Sequence, residues 1–156
     1  MSGSSTSALK RARATLQREL PPGRRPPPAA GSHAEQALLD RLVRAFEQAD
    51  VDGIVSLMTE DAWLRMPPEP REYQGRELAD RFLGNIAFRH GRRYRLIPTR
   101  ANGQPAFAVY LQDPVTGISH AFGLLVITLA GDQVSAITRF DNAMLPRFGF
   151  PRTLAD

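Results

Sequence analysis

From residue 93 onward, apolar and polar side chains alternate with a period of two, in four runs that only strands satisfy: 93–101, 105–112, 118–130 and 133–141. Asn102-Gly103, Asp113-Pro114-Val115-Thr116-Gly117 and Gly131-Asp132 separate them. Links this short cannot carry a crossover helix, so each strand must run antiparallel to the one before it. Pro98 has no N–H to give to a ladder and places its strand at an edge or a bulge. The second half of the chain is therefore read as a strongly bent antiparallel meander.

The residues before it read as helices. Ser32 is an N-cap, and Glu35 three residues on completes a capping box for a helix whose apolar face is Leu38, Leu42, Ala45, Phe46 and Ala49. Asp50 or Asp52 can start a second, short helix through Met58, with Ile54, Leu57 and Met58 turned inward. Residues 61–66 alternate as a brief strand ended by Pro67-Pro68. A third helix is expected over 76–88, with Leu78, Phe82 and Ile86 as its stripe, stopping near Gly91. Helices first and an antiparallel sheet afterwards is an α+β order, in which a curved sheet wraps three N-terminal helices and can leave a cone-shaped pocket. Residues 33–156 are enough for one such domain.

The N-terminal fifth differs in character. Residues 1–32 carry a net charge of +5 and the remainder −1, so the overall pI of 10.3 is a local property. Within 1–20, Leu9, Ala12, Leu16 and Leu20 recur at helical spacing among Lys10, Arg11, Arg13 and Arg18, and a proline-rich tether follows over 21–32. A basic arm favours a polyanion, whereas a near-neutral body offers no field to hold one. The chain has no cysteine, no apolar run of membrane-spanning length and no apolar core of a signal peptide near its start. These features are read as a cytoplasmic protein with no membrane partner.

Three stretches of the body look familiar: residues 96–110 (Leu-Ile-Pro-Thr-Arg-Ala-Asn-Gly-Gln-Pro-Ala-Phe-Ala-Val-Tyr), Phe140-Asp141 followed by Leu145-Pro146-Arg147-Phe148-Gly149, and Leu64-Arg65-Met66-Pro67-Pro68. They resemble the C-terminal extension of certain extracytoplasmic-function (ECF) sigma factors, a SnoaL-like domain of the NTF2-like superfamily. The head, Ser7-Ala8-Leu9-Lys10-Arg11-Ala12-Arg13-Ala14-Thr15-Leu16, resembles the end of sigma region 4, in the helix that reads the −35 promoter element. The resemblance implies a regulatory module that modulates transcription initiation, with RNA polymerase and promoter DNA as partners of the full-length parent and a small apolar molecule as a ligand. It also implies that Lys10, Arg11 and Arg13 are the remnant of a DNA contact. Because the sequence lacks sigma region 2 and the first helix of the helix-turn-helix, it is expected not to act as a sigma factor alone. Open sheets of this kind also pair face to face, which makes a homodimer a further expectation.

The same fold hosts ketosteroid isomerases, polyketide cyclases and epoxide hydrolases, so an enzyme is the alternative. Arg139 and Asp141 share a strand face with Ile137, and a carboxylate beside a guanidinium can serve as base or water activator, with His120 as acid. An ion pair that stiffens the sheet end, and a histidine that is merely satisfied near a turn, explain these residues equally simply. Trp63, Met66, Tyr73, Phe82, Tyr94, Phe107, Tyr110 and Phe122 have the bulk for a core or for an apolar pocket wall, and of these Trp63, Met66, Tyr110 and Phe122 are the pocket candidates. Arg100 and Asn102 sit where they could hydrogen-bond a ligand, although Asn102-Gly103 is also ordinary turn chemistry. No histidine pair has zinc-like spacing, and no phosphate loop, dinucleotide fingerprint or nucleophile elbow is present. No metal and no cofactor is expected.

Overall fold

In the computed structural model, which describes residues 25–67 and 72–154, three helices lie against one face of a curved seven-stranded sheet. Helix α1 (His33–Glu47) starts where the sequence marks it, the Ser32 hydroxyl accepting the Glu35 N–H at 3.2 Å. Glu35 departs from a regular capping box. Its Oε1 accepts the Gly31 N–H at 3.0 Å and also takes the Arg100 guanidinium in an ion pair. The Glu35 side chain is 5% exposed and that of Arg100 37%, so a helix-capping residue has become the buried half of a tie between α1 and the sheet.

Helix α1 ends with Ala49 in the left-handed region at φ 56°, from where the Asp50 N–H reaches back to the Ala45 carbonyl at 2.8 Å. The Asp50 carboxylate then caps α2 (Val51–Ser56) by accepting the Gly53 N–H at 3.0 Å. Met58, expected at the end of this helix, instead opens strand β1 (Met58–Arg65). After β2 (Glu72–Gln74) comes α3 (Arg76–Phe82), which passes into a π-helical turn (Leu83–Ala87) and a 3-10 turn (Arg89–Gly91).

The expected stripe of this third helix is out of phase. Leu78 and Ile86 are 42% and 41% exposed, while Ala79 and Leu83 are buried at 0% and 3%. A small residue at 79 lets α3 sit close to β1. The π turn, in which the Phe88 N–H reaches the Leu83 carbonyl at 2.9 Å, adds a residue and delivers Phe88 to the core in place of Ile86.

The four long strands fall where the alternation puts them: β3 (Tyr94–Ala101), β4 (Gln104–Gln112), β5 (Ser119–Ala130) and β6 (Gln133–Asp141). Strand order is β2-β1-β6-β5-β4-β3, so Pro98 does lie on an edge strand. The sheet is mixed rather than wholly antiparallel, because β1 runs parallel to β6. Short links dictate direction within the meander. β1 reaches β6 through most of the domain, so no turn constrains its sense.

Strand β5 carries a bulge. Gly123 pairs with Val109 and Ala121 with Tyr110, which leaves Phe122 as an extra residue without a partner on β4. Gly123 is obligatory there on steric grounds: a methyl at this position would stand 2.5 Å from the Phe140 carbonyl oxygen and 3.1 Å from Arg139 Nε.

The core on the helix side is apolar, with Leu42, Ile54, Met58, Ile127 and Val134 at 0% exposure. Burial of each such side chain contributes roughly 1.5–3 kcal/mol. A second cluster lies on the other face, where Ala108, Tyr110 and Leu124 are covered by Leu145 of a 3-10 segment (Asn142–Phe148). The chain then returns as β7 (Thr153–Leu154) to pair with the start of β5. This segment covers part of the face that face-to-face pairing of two copies would use. The Tyr110 hydroxyl donates to the Pro151 carbonyl at 2.7 Å and fastens it.

Three outcomes are expected. Arg100→Met strands the Glu35 carboxylate in the interior and should cost about 2–3 kcal/mol in urea unfolding, somewhat less than a fully buried pair. Adding Glu35→Gln should recover part of that loss. Gly123→Ala should cost about 1–3 kcal/mol by forcing β5 from β6, visible as a lowered Tm. Burial pushes the Tyr110 hydroxyl above its ordinary value, so the folded state holds this proton more tightly than the unfolded chain does. That contribution is complete below the ordinary tyrosine range and disappears as pH rises through the raised value. Tyr110→Phe should therefore cost about 1 kcal/mol at neutral pH through the unpaired Pro151 carbonyl. Above about pH 10 its stability should fall less steeply than that of the unaltered protein.

Candidate functional site

Three short helices do not fill the concave face of so long a sheet, and a cavity of about 360 Å³ remains between them. Val109 of β4, Phe122 and Leu125 of β5, and Ile137 of β6 form its floor. Phe46 of α1 and Phe82, Leu83 and Ile86 from α3 and the π turn form its wall. Leu64, Ala87, Tyr94 and Arg139 also line it, as do Arg65, Met66, Tyr73 and Arg92, the last four only partly buried. A chain of aromatic contacts stiffens one side: Phe46 to Phe88 at 5.6 Å between ring centroids, Phe88 to Tyr94 edge-on at 5.2 Å, and Tyr94 to Phe122 at 5.4 Å. The Tyr94 hydroxyl donates to the Ala87 carbonyl and so ties β3 to the π turn.

One charged side chain reaches this interior from the floor. Arg139 of β6 lies across Gly123, its guanidinium carbon 4.2 Å from the centroid of the Phe122 ring, and its Nη2 donates to the Phe122 carbonyl at 3.2 Å. Its Nε–H is buried and has no hydrogen-bond partner among the described residues. Each of these contacts depends on the bulge. The bulge turns Phe122 toward the cavity, and Gly123 removes the Cβ that would otherwise occupy the space of the guanidinium stem.

Of the residues singled out in the sequence, Met66, Tyr73, Phe82, Tyr94, Phe122 and Arg139 meet at this cavity, and Phe107 is in the core. The others lie elsewhere. Trp63 is half-buried on β1, where the Arg65 guanidinium sits 4.8 Å from its ring centroid. Arg100 is committed to Glu35 and to the Gly103 carbonyl at 3.1 Å. Asn102 occupies the turn at φ 56°, and Tyr110 is in the opposite cluster. Asp141 is exposed, and its carboxylate caps the 3-10 segment by accepting the Ala143 N–H at 3.0 Å. His120 is exposed and borders a second hollow with Asn142 and Arg152. Arg139, Asp141 and His120 therefore do not converge. Lys10, Arg11 and Arg13 lie outside the described residues.

Sequence reasoning missed Arg92 and Gly123. The glycine had a signal: an isolated Gly inside a strand marks a bulge or a close approach, and Phe122-Gly123-Leu124 interrupts an otherwise continuous apolar run.

Among the described residues, no cluster of His, Asp or Glu could hold a metal ion, and no helix is long and apolar enough to cross a membrane. No protein-family model matches the chain. It is 38% identical over 152 residues to the ECF RNA polymerase sigma factor SigG of Mycobacterium tuberculosis, in both strains CDC 1551 and H37Rv. That match takes in 95% of this chain and 40% of the relative, so the chain spans well under half of the protein it resembles. Among solved structures, an NTF2-like protein of unknown function from Mesorhizobium loti superposes with a TM-score of 0.59 at 16% identity, covering 73% of this chain and 95% of the other. The epoxide hydrolase/cyclase-like enzyme SalBIII of pyran ring formation in salinomycin gives 0.55 at 19% identity, covering 68% and 88%. At such identities the structural matches establish the fold and nothing more. The chain is homologous to the C-terminal portion of an ECF sigma factor, and its described domain has the α+β NTF2-like fold.

Proposed function

We propose that this domain is a ligand-binding regulatory module of an ECF sigma factor, acting in the cytoplasm on the engagement of RNA polymerase with promoter DNA. The observation that carries the reading is the composition of the cavity. Its walls are apolar, its charged groups are guanidinium groups, and no carboxylate or imidazole lines it among the described residues. Proton abstraction or water activation at neutral pH needs a base within hydrogen-bond reach of the substrate, and a set of arginines cannot provide one. Binding needs only shape, apolar surface and a few placed donors, which the cavity has. The relative of known class supplies the context, since its C-terminal portion is what this chain matches.

Regulation by a ligand requires that it bind two arrangements of the parent protein with different affinity. The cavity is suited to this, because helices α1 and α3 close it from one side and the sheet from the other. A ligand that tightens this closure alters the surface that the domain presents.

The test is run-off transcription by the mycobacterial relative, intact and without the portion aligned with residues 33–154. The reading predicts changed promoter output on deletion, and unchanged output overturns it. The enzyme alternative separates through Asp141→Asn. The binding reading predicts unaltered ligand affinity and little change in stability, because the Asn side-chain oxygen can still accept the Ala143 N–H. Abolition of a measured turnover by this substitution would move the assignment to catalysis.

A further inference from the structure

We propose that the cavity selects an amphipathic monoanion, an apolar body ending in a carboxylate, whose head group is taken by Arg139 with Arg92 assisting from the solvent side. This rests on the binding reading above and adds the chemical class of the ligand. The three charged residues among the described lining are Arg65, Arg92 and Arg139, all cationic. Arg65 is already engaged, 3.7 Å from the Glu72 carboxylate and stacked on Trp63. The side chain of Arg92 has no ion pair or hydrogen bond among the described residues.

Arg139 is the decisive group. A guanidinium offers five N–H donors in a fixed fork, and one of its Nη atoms is used on the Phe122 carbonyl. The Nε–H is buried without a partner among the described residues. Arg139 is half-buried and has no anion among the described residues, which is unfavourable for a cation among apolar side chains, and the partner that relieves it with the best geometry is a carboxylate accepting in bidentate fashion. A neutral apolar ligand would fill the cavity and leave the cation uncompensated. An ammonium ligand would be repelled.

The surrounding sequence has the same sign. Residues 81–112, which run from the end of α3 through β3 and β4 beside the cavity, contain six arginines and no aspartate or glutamate. One of these, Arg100, is neutralised by Glu35, and Arg81 is paired with Glu77. Arg92, partly exposed at the edge of the lining, adds positive charge to the approach to the cavity, which concentrates small anions there and weakens with salt.

The test is isothermal titration of the full chain at neutral pH and low salt with three probes of equal length: decanoate, 1-decanol and decylamine. Decanoate is expected to bind one to one and about tenfold or more tighter than decanol, with decylamine weakest. Arg139→Met, which keeps the length of the stem, should erase the preference for decanoate. Arg139→Lys should keep part of it. Arg92→Gln should weaken decanoate by about two- to fivefold, with the difference shrinking in high salt. Equal binding of decanoate and decanol overturns the anion assignment and leaves the cavity reading standing. Binding of none of the three overturns both. An undiminished preference in Arg139→Met places the anion elsewhere and also overturns the proposal. Should that variant fail to fold, the ranking of the three probes on the unaltered protein and the Arg92→Gln result decide the matter.

Discussion

A guanidinium held against an aromatic ring inside an apolar cavity is the constraint on which the functional half of this structure depends. Desolvating a cation is costly, and Arg139 recovers only part of that cost from the Phe122 carbonyl and ring. To place it there at all, β5 must bulge at Phe122 and carry no side chain at Gly123. The bulge bends the strand and increases the curvature of the sheet, which enlarges the hollow that the helices then fail to fill. Curvature, cavity and half-buried charge are thus linked through one local device. A strand of ordinary register with a side chain at position 123 would have neither room for the guanidinium nor the same concave floor.

The helices are held over this floor by polar ties at two ends. At one end, Glu35 of α1 serves at once as acceptor for the turn before its own helix and as counter-ion for Arg100 of β3. At the other, the Tyr94 hydroxyl binds β3 to the last turn after α3, behind the aromatic chain. Between them, the Arg76 guanidinium of α3 donates to the Met58 carbonyl of β1 at 2.6 and 2.9 Å, and the Leu96 N–H of β3 donates to the Glu47 carboxylate of α1 at 3.1 Å; the remaining contacts are apolar. The opposite face is closed separately by the returning C-terminal segment, through Leu145 and the Tyr110 hydroxyl. Changes on the cavity side need not disturb that closure.

The sheet was largely legible in the sequence because strand alternation is a two-residue signal repeated over four long runs, and Asn102-Gly103 and Gly131-Asp132 fix the turns between them. The caps at Ser32 and Asp50 were legible for the same kind of reason, since each is a local hydrogen-bonding requirement of one residue type. Long-range relations were not. The parallel pairing of β1 with β6 has no short link to announce it, and the phase of α3 is set by close approach at Ala79 and by a π turn, neither of which a hydrophobic stripe records. The candidate site was legible where a bulky or charged residue sat on an inward strand position, as with Phe122 and Arg139. It failed where identity was mistaken for direction: Trp63 and Tyr110 are large and aromatic yet face away from the cavity, and Asp141 spends its carboxylate on a cap. The likeness to the sigma factor extension came from short stretches such as 96–110, and the 38% identity over 152 residues supports it.

The most direct measurement of the central claim is the side-chain Nε–H resonance of Arg139 in the nitrogen-15-labelled protein, followed while decanoate is added. The account predicts that this resonance shifts to a saturating end point as the guanidinium gains its anion. An Arg139 resonance that stays in place while the ligand binds would contradict it, because the buried charge would then have no part in what the cavity takes up.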